Sequence, residues 1–374
     1  MSTFSQKIKN MVPTKRKLIQ LYSALLFNAN LKGFITGNIY KGNTKIICAP
    51  GINCYSCPGA VGACPLGSLQ GSFSADKSTI YYVGGILFLY CILFGRWICG
   101  WLCPFGLIQE LVYKIKTPKL KKSPVTRILS YLKYVILVFF VFIVPITYAF
   151  RDTPLPTFCK YICPAGTLEG GIGLLANKVN ASYFSMLGPL FTWKFLLLVS
   201  IMVGCVFVFR LFCRFICPLG ALYGLFNRFS FFGVKVDNSK CTNCNLCIGH
   251  CKLDVNHVGD QECISCGECM NVCPTNAIQW KGFKVTKPGE ENKKARFITR
   301  SITFLLMAAL LIGAIIYYWN DDSNTANTVV SAEQGNEVGD LCYGYDLEIV
   351  TGSGLTGETI NPISTGKITI INFW

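Results

Sequence analysis

Residues 95–110 read GRWICGWLCPFGLIQE and residues 209–224 read FRLFCRFICPLGALYG. Superposing Cys103 on Cys217 also superposes Arg96 on Arg210, Cys99 on Cys213, Pro104 on Pro218 and Gly106 on Gly220, and Cys91 falls on Cys205. The chain therefore contains an internal repeat. Its signature, Cys-Pro-x-Gly, occurs at Cys64, Cys103, Cys163 and Cys217, and before the last three a second cysteine lies four residues earlier, at Cys99, Cys159 and Cys213. Proline is favoured at the first helical position, so each of the four cysteines is expected to begin a helix. There the positive end of the helix dipole favours a thiolate, the form that binds iron.

Apolar runs surround these motifs. A helix crossing a hydrocarbon layer of ~30 Å takes about 20 residues, and residues 80–94, 128–150, 193–209 and 298–319 meet or approach that length. A fifth stretch, 18–40, is interrupted by Asn28, Asn30 and Lys32. Over the 374 residues, 52% are hydrophobic and 14% charged, with a mean hydropathy of +0.43, against about 25% charged in soluble domains. Disorder is excluded and a soluble globule disfavoured. The net charge of +16 would raise nucleic acid as a partner, but residues 1–319 hold 34 basic against 11 acidic side chains, and the remainder one, Lys367, against eight. Such segregation is that of a membrane protein with basic loops in the cytoplasm. The partner is then membrane lipid and not nucleic acid.

The fold expected is mainly α, a polytopic membrane helix bundle of about five spans in a parallel repeat, N-terminus inside and C-terminus outside. Its membrane domain is 1–235, with a last transmembrane helix at 297–319. An α+β ferredoxin-like domain is expected at 236–281, a linker at 320–337, and a further domain at 338–374. Cys103 and Cys217 fall on the inner side of this topology, Cys64 and Cys163 on the outer.

Cys241, Cys244, Cys247 and Cys251 have the spacing CxxCxxCxxxC, repeated by Cys263, Cys266, Cys269 and Cys273 with Pro274 following. The spacing resembles that of bacterial two-cluster ferredoxins, in which three cysteines of each run hold one 4Fe-4S cluster and the fourth ligates the other. The resemblance implies Cys241, Cys244, Cys247 and Cys273 for one cluster and Cys263, Cys266, Cys269 and Cys251 for the second. A pair of zinc sites would leave the doubled CxxxC unexplained. Asn245 stands where glycine is usual and Lys252 where proline is usual.

The CxxxCP loops make a stoichiometric expectation. Cys99, Cys103, Cys213 and Cys217 supply on the inner side the four thiolates one further cluster needs. On the outer side Cys159 and Cys163 need two more from Cys48, Cys54, Cys57 and Cys64, and the sequence does not choose among them. The alternative is disulfides outside and free thiols inside. Arg96, Arg210 and Arg214 either offset cluster charge or anchor the interface. Cys91 and Cys205, eight residues before the pairs, would lie about 12 Å deeper along a helix. His250 and His257 are the only histidines and neither is in a span, so no haem is expected across the membrane. No Walker or Rossmann fingerprint occurs, so neither ATP nor nicotinamide is expected.

CAPGINCYSCPGAVGACPLGSLQ, GRWICGWLCPFGLIQELVYKIK, FCKYICPAGTLEGG and FCRFICPLGALYGLFN, with the cysteine pair that follows, resemble the membrane polyferredoxins related to the quinol-dehydrogenase subunit of periplasmic nitrate reductase and to the nitrous-oxide-reductase regulator. This implies an integral membrane iron-sulfur protein of the plasma membrane carrying electrons to proteins outside. VGDLCYGYDLEIV and GKITIINFW are similar to the opening of membrane-linked thiol-disulfide oxidoreductases of the thioredoxin superfamily. In that family the NFW strand runs into a redox-active Cys-x-x-Cys, so 338–374 is expected to be an incomplete thioredoxin-like α/β segment of a longer product. Cys342 is not at the active-pair position.

Three functions follow as expectations. The first is electron transfer from a cytoplasmic ferredoxin-like donor of low potential to an extracytoplasmic thiol-disulfide domain. The second is quinol oxidation feeding a separate outer reductase, and the third is a redox sensor or maturation factor.

Overall fold

The computed structural model describes residues 15–73, 77–120, 122–151, 155–178, 180, 184, 187–282, 293–320, 347–351 and 354–360. They divide into two units, Met1–Asp321 and Asp322–Trp374. In the second, strands Leu347–Thr351 and Gly354–Ile360 pair antiparallel, Leu347 opposite Ile360 and Thr351 opposite Gly354. The expected linker after Asn320, Cys342 and the strand ending at Trp374 lie outside the described residues.

The first unit is helical. Pro124–Ala149, Pro189–Phe207 and Ile302–Asn320 are long and apolar enough to cross a membrane. Lys77–Leu93, at 17 residues, reaches about 25 Å at 1.5 Å per residue. Exposed Ile128, Val135, Leu196, Val203, Leu305 and Leu310 on these helices give the unit an apolar surface suited to lipid. Pro145 cannot donate to the helix ladder, and a widened π-helical turn at Leu137–Ile143 precedes it.

Stretch 18–40 is not one helix. It breaks into Lys15–Phe27 and Leu31–Thr36, because Asn28 donates to the carbonyls of Ala24 (2.9 Å) and Asn53 Oδ1 (2.8 Å) while Asn30 donates to Pro58 O (2.8 Å). Side-chain amides thus grip the 53–58 loop where the helix would have continued.

That loop is re-entrant. Ile46 O accepts from Tyr82, Cys48 O from Tyr90 (2.9 Å) and Pro50 O from Tyr223 (2.8 Å), so the chain descends along Lys77–Leu93 towards the inner cysteines. It returns through a parallel bridge between Cys48 and Ala63, with Ala49 N donating to Ala63 O (2.8 Å). Irregular backbone among apolar helices has to pair its polar groups inside the protein. Cys48, Ala49, Pro50, Gly51, Ile52 and Asn53 are all buried.

Two buried ion clusters tie the repeats together. Arg210 donates to Cys99 O (2.5 Å) and to Glu110 Oε1 (2.6 and 2.9 Å), and Arg16 holds the same carboxylate (2.6 and 2.9 Å) and Gly100 O (2.8 Å). In the mirror contact, Arg96 donates to Cys213 O (3.3 Å). Its carboxylate is Glu262 (2.6 Å), shared with Lys133. The repeat mate of Glu110 is Gly224, and a Cβ there would press on Gln261 O at 3.1 Å and Arg96 Cδ at 3.5 Å. Residues 261 and 262 therefore occupy the place that the second repeat leaves empty. The backbone carries some of the strain: Arg210 is left-handed (φ 52°), which costs a non-glycine residue roughly 1–2 kcal/mol.

Burial alone would raise the Glu110 carboxyl, but Arg210 and Arg16 outweigh it and hold its pKa at about 2. A depressed carboxylate stabilises the fold above its unfolded pKa of ~4.3, and that stability is lost as pH falls towards 2. Glu110→Ala should cost roughly 3–5 kcal/mol by leaving two guanidinium groups unpaired. In thermal unfolding of the detergent-solubilised chain, Glu110→Gln should also flatten the acid limb below about pH 4.

Candidate cluster-binding sites

The CxxxCP loops share one construction. Ile98, Phe158 and Phe212 carbonyls each accept from the residue before the second cysteine (2.9, 3.0 and 2.9 Å) and from that cysteine itself (3.1, 2.9 and 2.8 Å). The widened last turn closes a short helix, and proline opens the next. Cys64, Cys103 and Cys217 sit at extended N-cap positions with proline following, and Pro164 likewise begins a helix after Cys163. The expected position of all four cysteines is the observed one. Cys217 Sγ accepts from Gly220 N (3.3 Å).

In the inner group, as the expected topology names it, Cys99, Cys103, Cys213 and Cys217 are buried and lie near enough to perturb one another electrostatically. Burial, then Cys213 and Cys99, push the Cys103 thiol up to about 12, and Cys217 rises for the same reasons. Burial raises Cys99, and Arg96 and Arg210 pull against it. The arginines are not interfacial anchors, being fully buried beside the thiols. Arg214 pairs with Asp254 of the ferredoxin-like region.

In the outer group, as the expected topology names it, electrostatic coupling shows which of the candidate cysteines lie near Cys159 and Cys163. Cys159 is raised by burial, then by Cys163, Cys64 and Cys54, and Cys163 is raised to about 12 by burial and Cys64. Cys54, Cys64, Cys159 and Cys163 thus lie near one another. Cys57 is coupled to Glu169 and Lys45 and also to Cys54, and Cys48 neighbours Cys64. Glu169, carried by the π-helical turn Gly166–Ile172, accepts from Cys54 N (2.7 Å), and burial lifts its carboxyl to about 7.

The two groups are close. Gly51 sits so near Cys103 that a Cβ would stand 2.8 Å from the Cys103 Cα. With Cα steps of 3.8 Å, Cys54 then lies no more than roughly 16 Å from Cys103, about half the ~30 Å hydrocarbon layer. Cys205 is likewise not 12 Å deeper, for the chain turns back at left-handed Arg210 and Cys205 Sγ reaches Gln109 Oε1 at 3.6 Å.

In the ferredoxin-like region, Gly233–Val236 pairs antiparallel with Ile278–Lys281 and closes the two runs into a unit. Both runs take the same backbone, with Asn243 and Ser265 left-handed (φ 53° and 49°) and Asn245 matching Gly267 (φ 55° and 79°). Asparagine tolerates that region, so the departure at Asn245 leaves the loop intact. A cavity of about 410 Å³ is lined by Cys241, Cys244, Cys247 and Cys273, the four that the crossed pattern joins. Cys269 is raised by burial, then by Cys263, Cys266 and Cys251, which brings together the second four.

This unit docks on the inner site. Ile264 O would lie 2.2 Å from a Cβ on Gly100, between Cys99 and Cys103, so only glycine fits. Trp101 donates to Ser265 O (2.9 Å), and Asn227 to Asp260 O (2.6 Å) and Cys263 O (2.9 Å). Among the described residues no three His, Cys, Asp or Glu side chains converge as one ion requires. A cluster takes its thiolates on separate irons, and all-cysteine quartets suit it.

Comparison with known proteins finds iron-sulfur families along the chain. The 4Fe-4S binding domain family matches residues 79–123, 132–182 and 190–237, and a second 4Fe-4S binding domain matches 258–279. An uncharacterized protein of Methanocaldococcus jannaschii is 31% identical over 53% of this chain and 69% of its own length. The chain belongs to the 4Fe-4S polyferredoxins. The polyferredoxin is also 27% identical to the ferredoxin-type protein NapH of Haemophilus influenzae, over 57% of this chain and 71% of NapH. With the regulatory protein NosR of Stutzerimonas stutzeri it shares 28% over 49% of this chain and only 25% of NosR. No solved structure matches it.

Sequence reasoning missed Glu110, Glu262, Lys133 and the side chains six residues after each Cys-Pro cysteine: Gln70, Gln109, Glu169 and Tyr223. Their constant offset was the available signal. If the outer grouping holds iron, Cys54→Ser or Cys64→Ser should remove about four iron atoms per chain, one cluster's complement. Cys48→Ser and Cys57→Ser should leave iron unchanged in the same analysis.

Proposed function

We propose that this polyferredoxin is a transmembrane conduit passing electrons from a cytoplasmic low-potential donor to a thiol-disulfide acceptor outside. The observation that carries the reading is the continuity of cysteine groups: the ferredoxin-like unit seats on the inner quartet, and the re-entrant loop brings Cys54 of the outer quartet within roughly 16 Å of Cys103. Cys241, Cys244, Cys247 and Cys273, then Cys251, Cys263, Cys266 and Cys269, would hold two clusters, with one more in each quartet: Cys99, Cys103, Cys213, Cys217 and Cys54, Cys64, Cys159, Cys163. Bound there, 4Fe-4S groups supply reversible one-electron storage at potentials set by charge, hydrogen bonding and burial.

The chain's own residues do the rest. Arg96 and Arg210 place positive charge beside four thiolates and bind the opposite repeat's cysteine carbonyl. Phe105 and Phe212, edge to face at 5.1 Å, and Ile98 pack against the inner cysteines and exclude water. Glu262, next in sequence to Cys263, holds the ferredoxin-like unit at the repeat by its bonds to Arg96 and Lys133.

The topology that serves this function has five crossings, with 1–14 and 236–281 inside and 322–374 outside. Lys15–Phe27 supports it, running from Glu110 at the inner group to Asn53 and Val61 of the outer loop. Tyr318, at the end of the last apolar helix, packs edge to face on Tyr40 (5.2 Å).

Anaerobic purification with iron, acid-labile sulfide and EPR analysis tests the reading. About 16 iron atoms per chain are expected at four per cluster, and about 8 would leave only the ferredoxin-like pair and overturn it. In proteoliposomes, a reduced ferredoxin on the face bearing 236–281 should drive thiol formation on the other face. Reduction by quinol alone would replace the donor.

A further inference from the structure

We propose that Gln109 and Gln70 are positioning residues that each donate an amide N–H to one cluster cysteine and thereby raise the reduction potential of the inner and outer sites. The proposal rests on the reading that both quartets hold clusters.

The two side chains are the same device built twice. Gln70 stands six residues after Cys64 and Gln109 six after Cys103, each on the helix opened by its Cys-Pro pair, and both are fully buried. Gln109 Nε2 donates to Cys213 Sγ at 3.0 Å and to Phe105 O, one turn back, at 3.2 Å. Gln70 Nε2 donates to Cys159 Sγ at 3.5 Å and to Leu66 O, one turn back, at 3.2 Å. At the other end, Gln109 Oε1 accepts from Phe212 N (3.0 Å) and Cys213 N (3.4 Å), and Gln70 Oε1 accepts from Phe158 N (3.0 Å). Those backbone groups are donors only, so each oxygen must face them and the NH₂ must face sulfur. Both amide hydrogens are then used, one on the helix and one on the thiolate.

The direction of the clamp is also constant. Each glutamine lies on a helix opened by one of the first two Cys-Pro cysteines, Cys64 or Cys103, and closes on the first cysteine of a CxxxCP loop that ends in one of the last two, Cys163 or Cys217. At the equivalent offset after Cys163 and Cys217 stand Glu169 and Tyr223, which bond to backbone of the re-entrant loop. Each quartet therefore has one sulfur clamped by a glutamine. An N–H on a cluster thiolate favours the form with more negative charge, which is the reduced one, so it raises the potential. Buried in low dielectric, the bond is stronger than it would be in water.

The test uses the anaerobically purified full chain and EPR-monitored redox titration. Gln109→Met and Gln70→Met, near-isosteres without the donor, should each shift one cluster's midpoint downward, a different cluster in each variant. The two ferredoxin-like clusters should not move. Midpoints unchanged at full iron content would overturn the proposal, whereas about 8 iron atoms in the unsubstituted chain would sink the underlying reading instead. A measurement independent of the variants' folding is pulsed EPR on unsubstituted chain carrying ¹⁵N in its glutamine side chains. A ¹⁵N coupling on both non-ferredoxin clusters is expected, and its absence at full iron content overturns the assignment.

Discussion

A guanidinium group enclosed in an apolar bundle has to meet a carboxylate, and this requirement organises the polyferredoxin. Removing a charge from water costs several kcal/mol, and an unpaired one would not survive. Arg210 and Arg96 are completely buried, and each reaches across the repeat boundary to the other repeat's cysteine carbonyl. Their counter-charges differ in origin. Glu110 comes from the first repeat, but the matching position in the second is Gly224, and Glu262 of the ferredoxin-like unit enters the gap. The membrane unit is thus electrostatically complete only with the ferredoxin-like unit in place. A pairing needed for stability also seats Cys263 beside the inner quartet.

The re-entrant loop follows a second constraint. Backbone polar groups away from water must be paired, and here tyrosine hydroxyls on the surrounding helices do it. Tyr90 and Tyr223 satisfy the carbonyls of Cys48 and Pro50, and the bridge to Ala63 satisfies Ala49. The same loop carries Cys54 and Cys64 to Cys159 and Cys163. Close packing of Gly51 on Cys103 means that two cysteine groups assigned to opposite faces stand far nearer than the bilayer is thick. Interruption of 18–40 is part of the same arrangement, since Asn28 and Asn30 leave helical geometry to hold that loop.

The repeat, the helix starts at Cys64, Cys103, Cys163 and Cys217 and the doubled ferredoxin-like cysteine spacing were legible in the sequence. Each rests on short-range rules: proline at a first helical position, a fixed spacing, or an offset that aligns several residues at once. Four apolar stretches were legible for the same reason, as runs of one kind of side chain. The nearness of Cys54 and Cys64 to Cys159 and Cys163 was not legible, because Cys48, Cys54, Cys57 and Cys64 lie on one irregular loop whose path is set by tyrosines far along the chain. The depth of Cys205 was misjudged by extending a helix through Arg210, where the backbone turns left-handed.

By itself, the sequence determined the composition of the machine: an apolar repeat, its basic face, and cysteines in spacings that iron-sulfur chemistry uses. Tertiary structure alone decided which carboxylate meets which arginine, which loop cysteines come near Cys159 and Cys163, and that Gln70 and Gln109 turn their amides onto sulfur. The reason is physical. Spacing and helix starts are fixed by bonds between residues a few positions apart, whereas pairing a buried charge or a buried amide depends on what distant segments bring to the same enclosed volume.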